Sequence, residues 1–228
     1  MKFDVEFSPT FALAIARLDV GDKVMAESGA MVSQDAHIRM ETSASQGKGV
    51  GGLLKGLGRA MLLGESFFRN TFHADNAPGE VTFAPSLPGD IMVYEMTGGE
   101  LIVQQQAYLA SATTVEIQAK WGGFKSFFGE GKMFWIRAYG TGPLALNAFG
   151  AIKEIEVDGN FIIDTGHIVA FEPTLDFTIK KVGSWFSTFF SSEGLVCRFT
   201  GKGKLFIQTR NPNEFGQLLG PRLPPVEN

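Results

Sequence analysis

An all-β fold is predicted for this chain from its composition and its hydrophobic periodicity. Of the 228 residues, 28 are glycine and 21 are phenylalanine, whereas charged residues make up only 19%. This bias is typical of aromatic strands joined by glycine turns rather than of charge-rich helices. Large apolar residues also recur at every second position in short runs such as residues 11–17, which is the period of a strand.

Strands are predicted in chain order at residues 11–17, 23–26, 28–32, 37–42, 66–74, 79–84, 90–95, 99–103, 107–110, 115–117, 133–135, 142–146, 159–163, 167–170, 177–179, 195–197 and 203–207. The spacing of the strands over residues 23–42 resembles a meander, and residues 75–78 have the composition of a hairpin turn.

Two helical segments interrupt this pattern. Apolar residues recur at steps of three and four over residues 53–63, which predicts a short amphipathic helix carrying Leu53, Leu54, Leu57 and Met61 on one side. Residues 211–219 are predicted to form a capped helical turn that precedes a proline-rich tail.

The same order of predicted strands and connecting segments occurs three times along the chain. In each copy, three strands lead to a glycine-led apolar connector, and further strands follow it. The predicted repeats span about residues 11–96, 98–157 and 158–211, and residues 212–228 form the C-terminal turn and tail. Such repetition indicates units that bury their faces against one another within a single domain.

The sequence resembles the family of proteins named for altered inheritance of mitochondria in fungi, whose fold is similar to that of the tryptophan RNA-binding attenuation protein (TRAP). The resemblance is carried by residues 26–32, 51–57, 64–68, Phe72 and residues 79–83 within a match over nearly the whole chain. It implies three tandem TRAP-like antiparallel β units, each a jelly-roll-like sandwich, around a pseudo-threefold axis. It also implies a homotrimer whose chains form a ring of nine units, and it supplies no catalytic residue.

The net charge of the chain and the composition of particular segments argue against several classes of function. A net charge of −4 disfavours non-specific binding to nucleic acid. Residues 47–52 match the glycine spacing of a dinucleotide-binding loop, but no βαβ unit is predicted around them. Because the chain begins without a signal-peptide pattern and contains no apolar run of membrane-spanning length, we expect a cytoplasmic protein that is at most peripheral to a membrane.

Residues that could support catalysis are few. His37, His73 and His167 lack the spacing of a recognised metal site. Cys197, the single cysteine, has apolar neighbours and is predicted to be a packed thiol rather than a nucleophile. The three connectors end in glutamates, and this recurrence favours a structural role over a catalytic one: Glu65, Glu130 and Glu193. We therefore predict no enzyme activity, cofactor or metal.

The apolar connectors are the candidate functional feature. Basic residues accompany them at Lys55, Arg59, Lys125, Lys180 and Lys181. Either the connectors form an exposed rim that contacts a membrane surface or a protein partner, or they fold back and plug the β units. The ten residues of this predicted face are Leu53, Leu54, Leu57, Phe124, Phe127, Phe128, Trp185, Phe186, Phe189 and Phe190. The expected function is a non-enzymatic β-ring scaffold or peripheral membrane or partner-binding protein, and the alternative is an RNA or small-ligand binding module.

Overall fold

The computed structural model describes residues 1–44, 68–119, 135–181 and 195–224. These parts of the chain are mostly antiparallel β structure, as the sequence predicts. Their strands are β1 Lys2–Glu6, β2 Leu13–Leu18, β3 Lys23–Glu27, β4 Met31–Gln34, β5 Arg39–Ala44, β6 Phe68–His73, β7 Gly79–Phe83, β8 Ile91–Gln104, β9 Tyr108–Ala112, β10 Val115–Ala119, β11 Trp135–Asn147, β12 Ile152–Asp164, β13 Ile168–Phe171, β14 Leu175–Lys181 and β15 Leu195–Gln208. A helix, α1 Pro212–Leu219, follows them.

The strands form two sheets. A four-stranded sheet has the order β1-β2-β7-β4. An eleven-stranded sheet has the order β12-β15-β13-β8-β11-β9-β3-β6-β5, with β10 added to β11 and β14 added to β15. Single turns of 3-10 helix, Gln105–Ala107 and Thr165–His167, follow β8 and β12.

The first seven strands are divided between the two sheets, with β3 and β5 in one and β4 in the other. The predicted meander over residues 23–42 is therefore wrong. β3 pairs with β6, whereas β4 pairs with β7. Residues 75–78 are not a hairpin turn either, because β6 and β7 lie in different sheets. Local turn residues indicate where the chain bends. The partner of each strand is instead determined by burial of its apolar face, and that partner can lie far along the sequence.

Four strands are longer than predicted. Residues 133–135 and 142–146 were expected to form two strands joined through a glycine turn, but β11 runs through Gly140 and Gly142 with φ values of 120° and 123°. The pairing of β11 with β8 shifts register between Tyr139 and Thr141. Glycine at a bulge lets a strand bend while its ladder continues, which is why the predicted breaks do not occur.

Two other predicted breaks are likewise bridged by continuous strands, and a fourth strand begins earlier than predicted. The predicted strands 195–197 and 203–207 are joined in β15, which passes through Gly201 with a φ of 112°. β8 joins the predicted strands 90–95 and 99–103, and β12 extends the predicted strand 159–163 in the N-terminal direction. The predicted repeat boundaries near residues 97 and 158 therefore fall inside β8 and β12.

Within the part of the chain that the structure describes, the core consists of three apolar clusters built from the inward faces of the strands. Phe72 and Phe83 are both fully buried in the first, with ring centroids 5.4 Å apart. Leu101 and Tyr108 belong to the second. The third is aromatic and includes Trp135, Phe171, Phe177 and Phe199, whose rings contact one another edge to face or at a tilt. Burying each such ring contributes about 1.5–3 kcal/mol, so these aromatic side chains contribute substantially to the stability of the core.

The sequence predicted the structure at the C-terminal end of the chain but not at the N-terminal end. β1 was not predicted, although Phe3 and Val5 alternate with charged residues there; it pairs with β2 from Lys2 to Glu6. The capped turn at residues 211–219 is confirmed, because the Asn211 side chain accepts a hydrogen bond of 3.0 Å from the Asn213 amide. The predicted helix at residues 53–63 lies outside the described residues.

Candidate functional site

The predicted apolar face lies in three segments outside the described residues, namely 45–67, 120–134 and 182–194. All ten of its residues fall there: Leu53, Leu54, Leu57, Phe124, Phe127, Phe128, Trp185, Phe186, Phe189 and Phe190. The glutamates considered for catalysis, Glu65, Glu130 and Glu193, fall there as well.

The strands that flank these segments are described, and they share one arrangement. β5 pairs with β6 as far as Ala44 opposite Phe68. β10 pairs with β11 to Ala119 opposite Ile136, and β14 pairs with β15 to Lys181 opposite Leu195. Each segment therefore joins the adjacent ends of two antiparallel strands that are hydrogen-bonded to each other. Two of the basic residues singled out in the sequence, Lys180 and Lys181, end β14 beside the third segment.

A polar cleft lies where the ends of β3, β8, β11 and β15 converge. Its volume is about 250 Å³, and its polar lining includes Glu27, Gln104, Gln106, Asn147 and Gln208. These residues are far apart in sequence and come together only because their strands end at the same place. The sequence contains no short-range motif that would have revealed this cleft.

Two of the lining amides have structural partners. The Gln208 side chain donates to the Gly166 carbonyl at 2.8 Å and accepts from the Phe149 amide at 2.9 Å. Asn147 donates to the Gln106 carbonyl at 3.2 Å. These side chains satisfy backbone groups at the strand ends, so they hold the walls of the cleft in place.

Glu27 is the titratable group of the cleft. It ends β3, and burial raises the pKa of its carboxyl group from 4.5 to about 7. Burial penalises the carboxylate more than the neutral acid, which is the physical cause of this shift. Near neutral pH the Glu27 carboxyl group is therefore close to its pKa, so both its protonated and its ionised forms are populated.

The histidines lie at separate places and serve local contacts. A ring nitrogen of His37, Nε2, lies 3.0 Å from the Pro78 carbonyl, and His167 donates from Nδ1 to the Gln208 carbonyl at 2.8 Å. His73 Nε2 lies 3.3 Å from Glu41 Oε2. Over the described ranges, no group of three or more histidine, cysteine or acidic side chains is placed to hold a metal ion.

Cys197 is buried in the aromatic cluster, as the sequence predicts, with 1% of its surface exposed. Burial raises the pKa of its thiol to about 12. Since the thiolate is the reactive form, this cysteine is a poor nucleophile in the folded protein.

None of the helices in the described parts of the chain has the length and apolar character needed to cross a bilayer.

The chain is similar to proteins of known sequence and structure along its full length. It is 31% identical to an uncharacterized protein of Streptococcus pyogenes serotype M6 over 232 aligned residues, covering all of this chain and 93% of the relative. A crystal structure of another Streptococcus pyogenes protein superposes with a TM-score of 0.80 at 28% identity, covering 97% of this chain and 99% of that one. The family model described as mitochondrial biogenesis AIM24 matches residues 3–210. The chain therefore belongs to the AIM24 family.

Proposed function

We propose that this protein is a non-enzymatic β scaffold that binds a membrane surface through its three apolar connecting segments. The observation that supports this most directly is the position of those segments. All ten residues of the predicted face lie in connections between the ends of directly paired strands. Apolar residues carried on hairpin ends can be presented away from a sheet without disturbing its ladder.

The proposal depends on three equivalent β units. The register shifts once in each of three strand pairs. The shift lies near Met31 where β4 pairs with β7, near Tyr108 where β9 pairs with β11, and near Ile168 where β13 pairs with β15. This agreement supports unit boundaries in residues 84–90 and 148–151, between strands rather than within them. The unit proposed here is a TRAP-like jelly-roll sandwich.

The starts of the proposed units lie next to one another, which supports the pseudo-threefold arrangement. The Ala12 amide donates to the Gly89 carbonyl at 2.9 Å, and the Asp90 amide donates to the Gly150 carbonyl at 2.8 Å. Gly89 and Gly150 also form a parallel bridge. Units related in this way would carry their connectors toward one rim.

Lipid is the binding partner that this rim would suit. Leucine, phenylalanine and tryptophan side chains insert at the boundary between headgroups and acyl chains, while nearby lysines attract anionic lipid. The connectors contain both kinds of residue, and Lys180 and Lys181 add positive charge at the end of β14. The alternative in which the connectors plug the units would leave this surface without an apolar face.

Flotation with liposomes tests the proposal. Wild-type protein should float with vesicles that contain phosphatidylglycerol and less with vesicles of phosphatidylcholine alone, because the interaction combines apolar burial with charge attraction. Phe127→Ser, Phe128→Ser and Trp185→Ser should each reduce recovery several-fold.

A matched control is available at Phe11, whose side chain is 71% exposed and lies outside the connectors. Phe11→Ser should leave recovery unchanged. Negligible recovery for wild type, or equal recovery for wild type and all connector variants, would remove the membrane version of the proposal.

A small-ligand binding module is the second candidate, favoured by the polar cleft. The Glu27 carboxyl group, Gln104 and Gln106 line it beside the two amides that bond to the backbone, and such groups suit a small polar molecule. RNA binding remains the weaker version of this alternative, because a net charge of −4 opposes contact with phosphate backbones.

A further inference from the structure

Glu27 is the single charged residue among the described residues that line the polar cleft. It lies where β3 ends, and its side chain is partly buried. Within the described parts of the chain, no hydrogen bond or ion pair engages its carboxyl group. Both carboxyl oxygens are therefore available to a molecule that enters the cleft.

The corresponding positions in the other two proposed units differ from Glu27. Glu27, Gln104 and Asp164 are each the last residue of a strand, and three residues separate each of them from the next strand. Asp164 has local donors, because its Oδ1 atom accepts from the Gly166 amide at 2.7 Å and from Asn211 Nδ2 at 3.3 Å. Gln104 carries no charge. A carboxyl group without local donors therefore occurs at one of the three corresponding places, and that place lines the cleft.

Two groups on neighbouring strands face Glu27. Arg69 lies opposite it on β6. The pKa of Tyr108 on β9 is raised to about 12 by burial and, to a smaller extent, by the charge of Glu27. These surroundings do not hold Glu27 in its ionised form, because burial raises the pKa of its carboxyl group to about 7. A cation that entered the cleft would stabilise the carboxylate, whereas an anion would oppose it.

The rest of the lining suits a short carbon chain. Apolar surface comes from four of the lining residues: Leu87, Ala107, Phe149 and Pro212. Phe149 also packs against Phe215 of α1, with ring centroids 5.2 Å apart. The cleft volume of about 250 Å³ lies below the roughly 300–1,000 Å³ of pockets for drug-sized ligands, so a smaller molecule fits it.

We propose that this cleft binds a small organic cation, an amine carried on a short carbon chain. The ammonium group pairs with the Glu27 carboxylate, and the amide oxygens of Gln104 and Gln106 accept its other N–H groups. The carbon chain lies against Leu87 and Phe149. This inference rests on the small-ligand candidate above, since it names the class of ligand for the same cleft, and it does not depend on membrane binding.

Binding of such a cation is coupled to the release of a proton. Without the amine, the Glu27 carboxyl group is about half protonated at pH 7, whereas the carboxylate paired with an ammonium group is ionised. The affinity should therefore rise by roughly tenfold or more between pH 5.5 and pH 8.

Isothermal titration calorimetry with three probes of similar length tests the proposal. At neutral pH hexylamine is a cation, 1-hexanol is neutral and hexanoate is an anion. Wild type should bind hexylamine at one site per chain, and at least about tenfold more tightly than either of the other two probes. Hexylamine titrations at pH 7 in two buffers of different ionisation enthalpy should show release of roughly half a proton for each amine bound.

Three variants make the test specific to the cleft. Glu27→Gln keeps the shape of the side chain and removes its charge, so the affinity for hexylamine at pH 8 should fall at least about tenfold. Glu95→Gln is the matched control, because Glu95 is exposed in the middle of β8, and it should bind hexylamine like wild type. Ser86→Lys places a tethered ammonium group at an exposed position of the lining, and it should also prevent hexylamine binding. Circular dichroism spectra that match wild type show that the variants are folded.

The outcomes separate this inference from the candidate function on which it rests. If 1-hexanol or hexanoate binds wild type as tightly as hexylamine does, the amine is the wrong ligand class, but the cleft remains a small-ligand site. An unchanged affinity for hexylamine in Glu27→Gln would also overturn the inference. If wild type binds none of the three probes, both the inference and the small-ligand candidate fail.

Discussion

Glu27 is a carboxyl group that the fold holds near the middle of its titration at neutral pH. Its pKa is raised from 4.5 to about 7 by burial at the end of β3. The folded protein therefore binds the proton more tightly than the unfolded chain does. The contribution to stability is complete below pH 4.5 and is lost as the pH rises to about 7.

Replacing Glu27 with glutamine should remove this pH dependence. Urea unfolding at pH 5 and at pH 7.5 should show that Glu27→Gln gains stability relative to wild type at the higher pH. The gain should be roughly 1–3 kcal/mol, because a shift of one pKa unit corresponds to about 1.4 kcal/mol. Glu214→Gln, at an exposed carboxyl group on α1, serves as the control and should show no such gain. A variant whose stability follows the wild-type pH profile would contradict the assignment.

No local pattern identified Glu27 in the sequence. Its pKa depends on burial produced by strands that begin and end at distant positions, and the cleft also contains Gln104, Asn147 and Gln208. Cys197 was easier to interpret, because Val196 precedes it and Leu195 and Phe199 lie two residues away, on the same face of the strand. A buried group with apolar sequence neighbours can be predicted, whereas one buried by distant parts of the chain cannot.

At the scale of strands, Gly140 shows how β11 bends without ending. A Cβ atom added there would lie 2.3 Å from the Thr114 carbonyl oxygen, and the φ of 120° is one that other residues rarely adopt. The strand can therefore pass this point only with glycine, and its pairing on both sides depends on that residue.

Gly140→Ala should lower the free energy of unfolding by about 2–4 kcal/mol, because both the contact with the backbone and the positive φ oppose a side chain. Gly99→Ala on β8 is the control, since nothing lies within 4 Å of its added Cβ. Its expected cost is below about 1 kcal/mol. Chemical denaturation of the two variants measures both values, and equal costs would show that the bulge does not require glycine.

Periodicity predicted most strands because one face of each is buried, so apolar residues alternate along it. β2, for example, lies where residues 11–17 were predicted to form a strand. The sequence did not reveal that β8, β11, β12 and β15 are continuous, because a glycine in a bulge and a glycine in a turn look the same locally. The connectors could be recognised by their glycine and aromatic content, but the sheet edges beside β4 and β12 required the complete topology.

At the scale of the whole molecule, the eleven-stranded sheet ends at β12, and β4 ends the four-stranded sheet. Both ends expose apolar side chains: Ile162 on β12 is 64% exposed, and Val32 on β4 is 59% exposed. An assembly of copies that covered these side chains would couple stability to assembly, because the folded form that assembles is favoured by mass action.

The thermal midpoint of unfolding should therefore rise with protein concentration for wild type. Calorimetry at two concentrations that differ by about a hundredfold should detect an increase of a few degrees, while Ile162→Lys should unfold at the same temperature in both. Met40→Lys should behave as wild type does. A concentration-independent midpoint for wild type would show that strand addition does not contribute to stability in this range.

The difference between the two edges also has a genetic consequence. If copies add to one another through these two edges, a chain that is altered only at Ile162 can still receive a neighbour on β4, so it would enter assemblies made by unaltered chains and interrupt them. In a cell that produces both versions, one altered copy would open a whole ring. Substitutions at this single position are therefore expected to be dominant, whereas substitutions that unfold the chain are expected to be recessive.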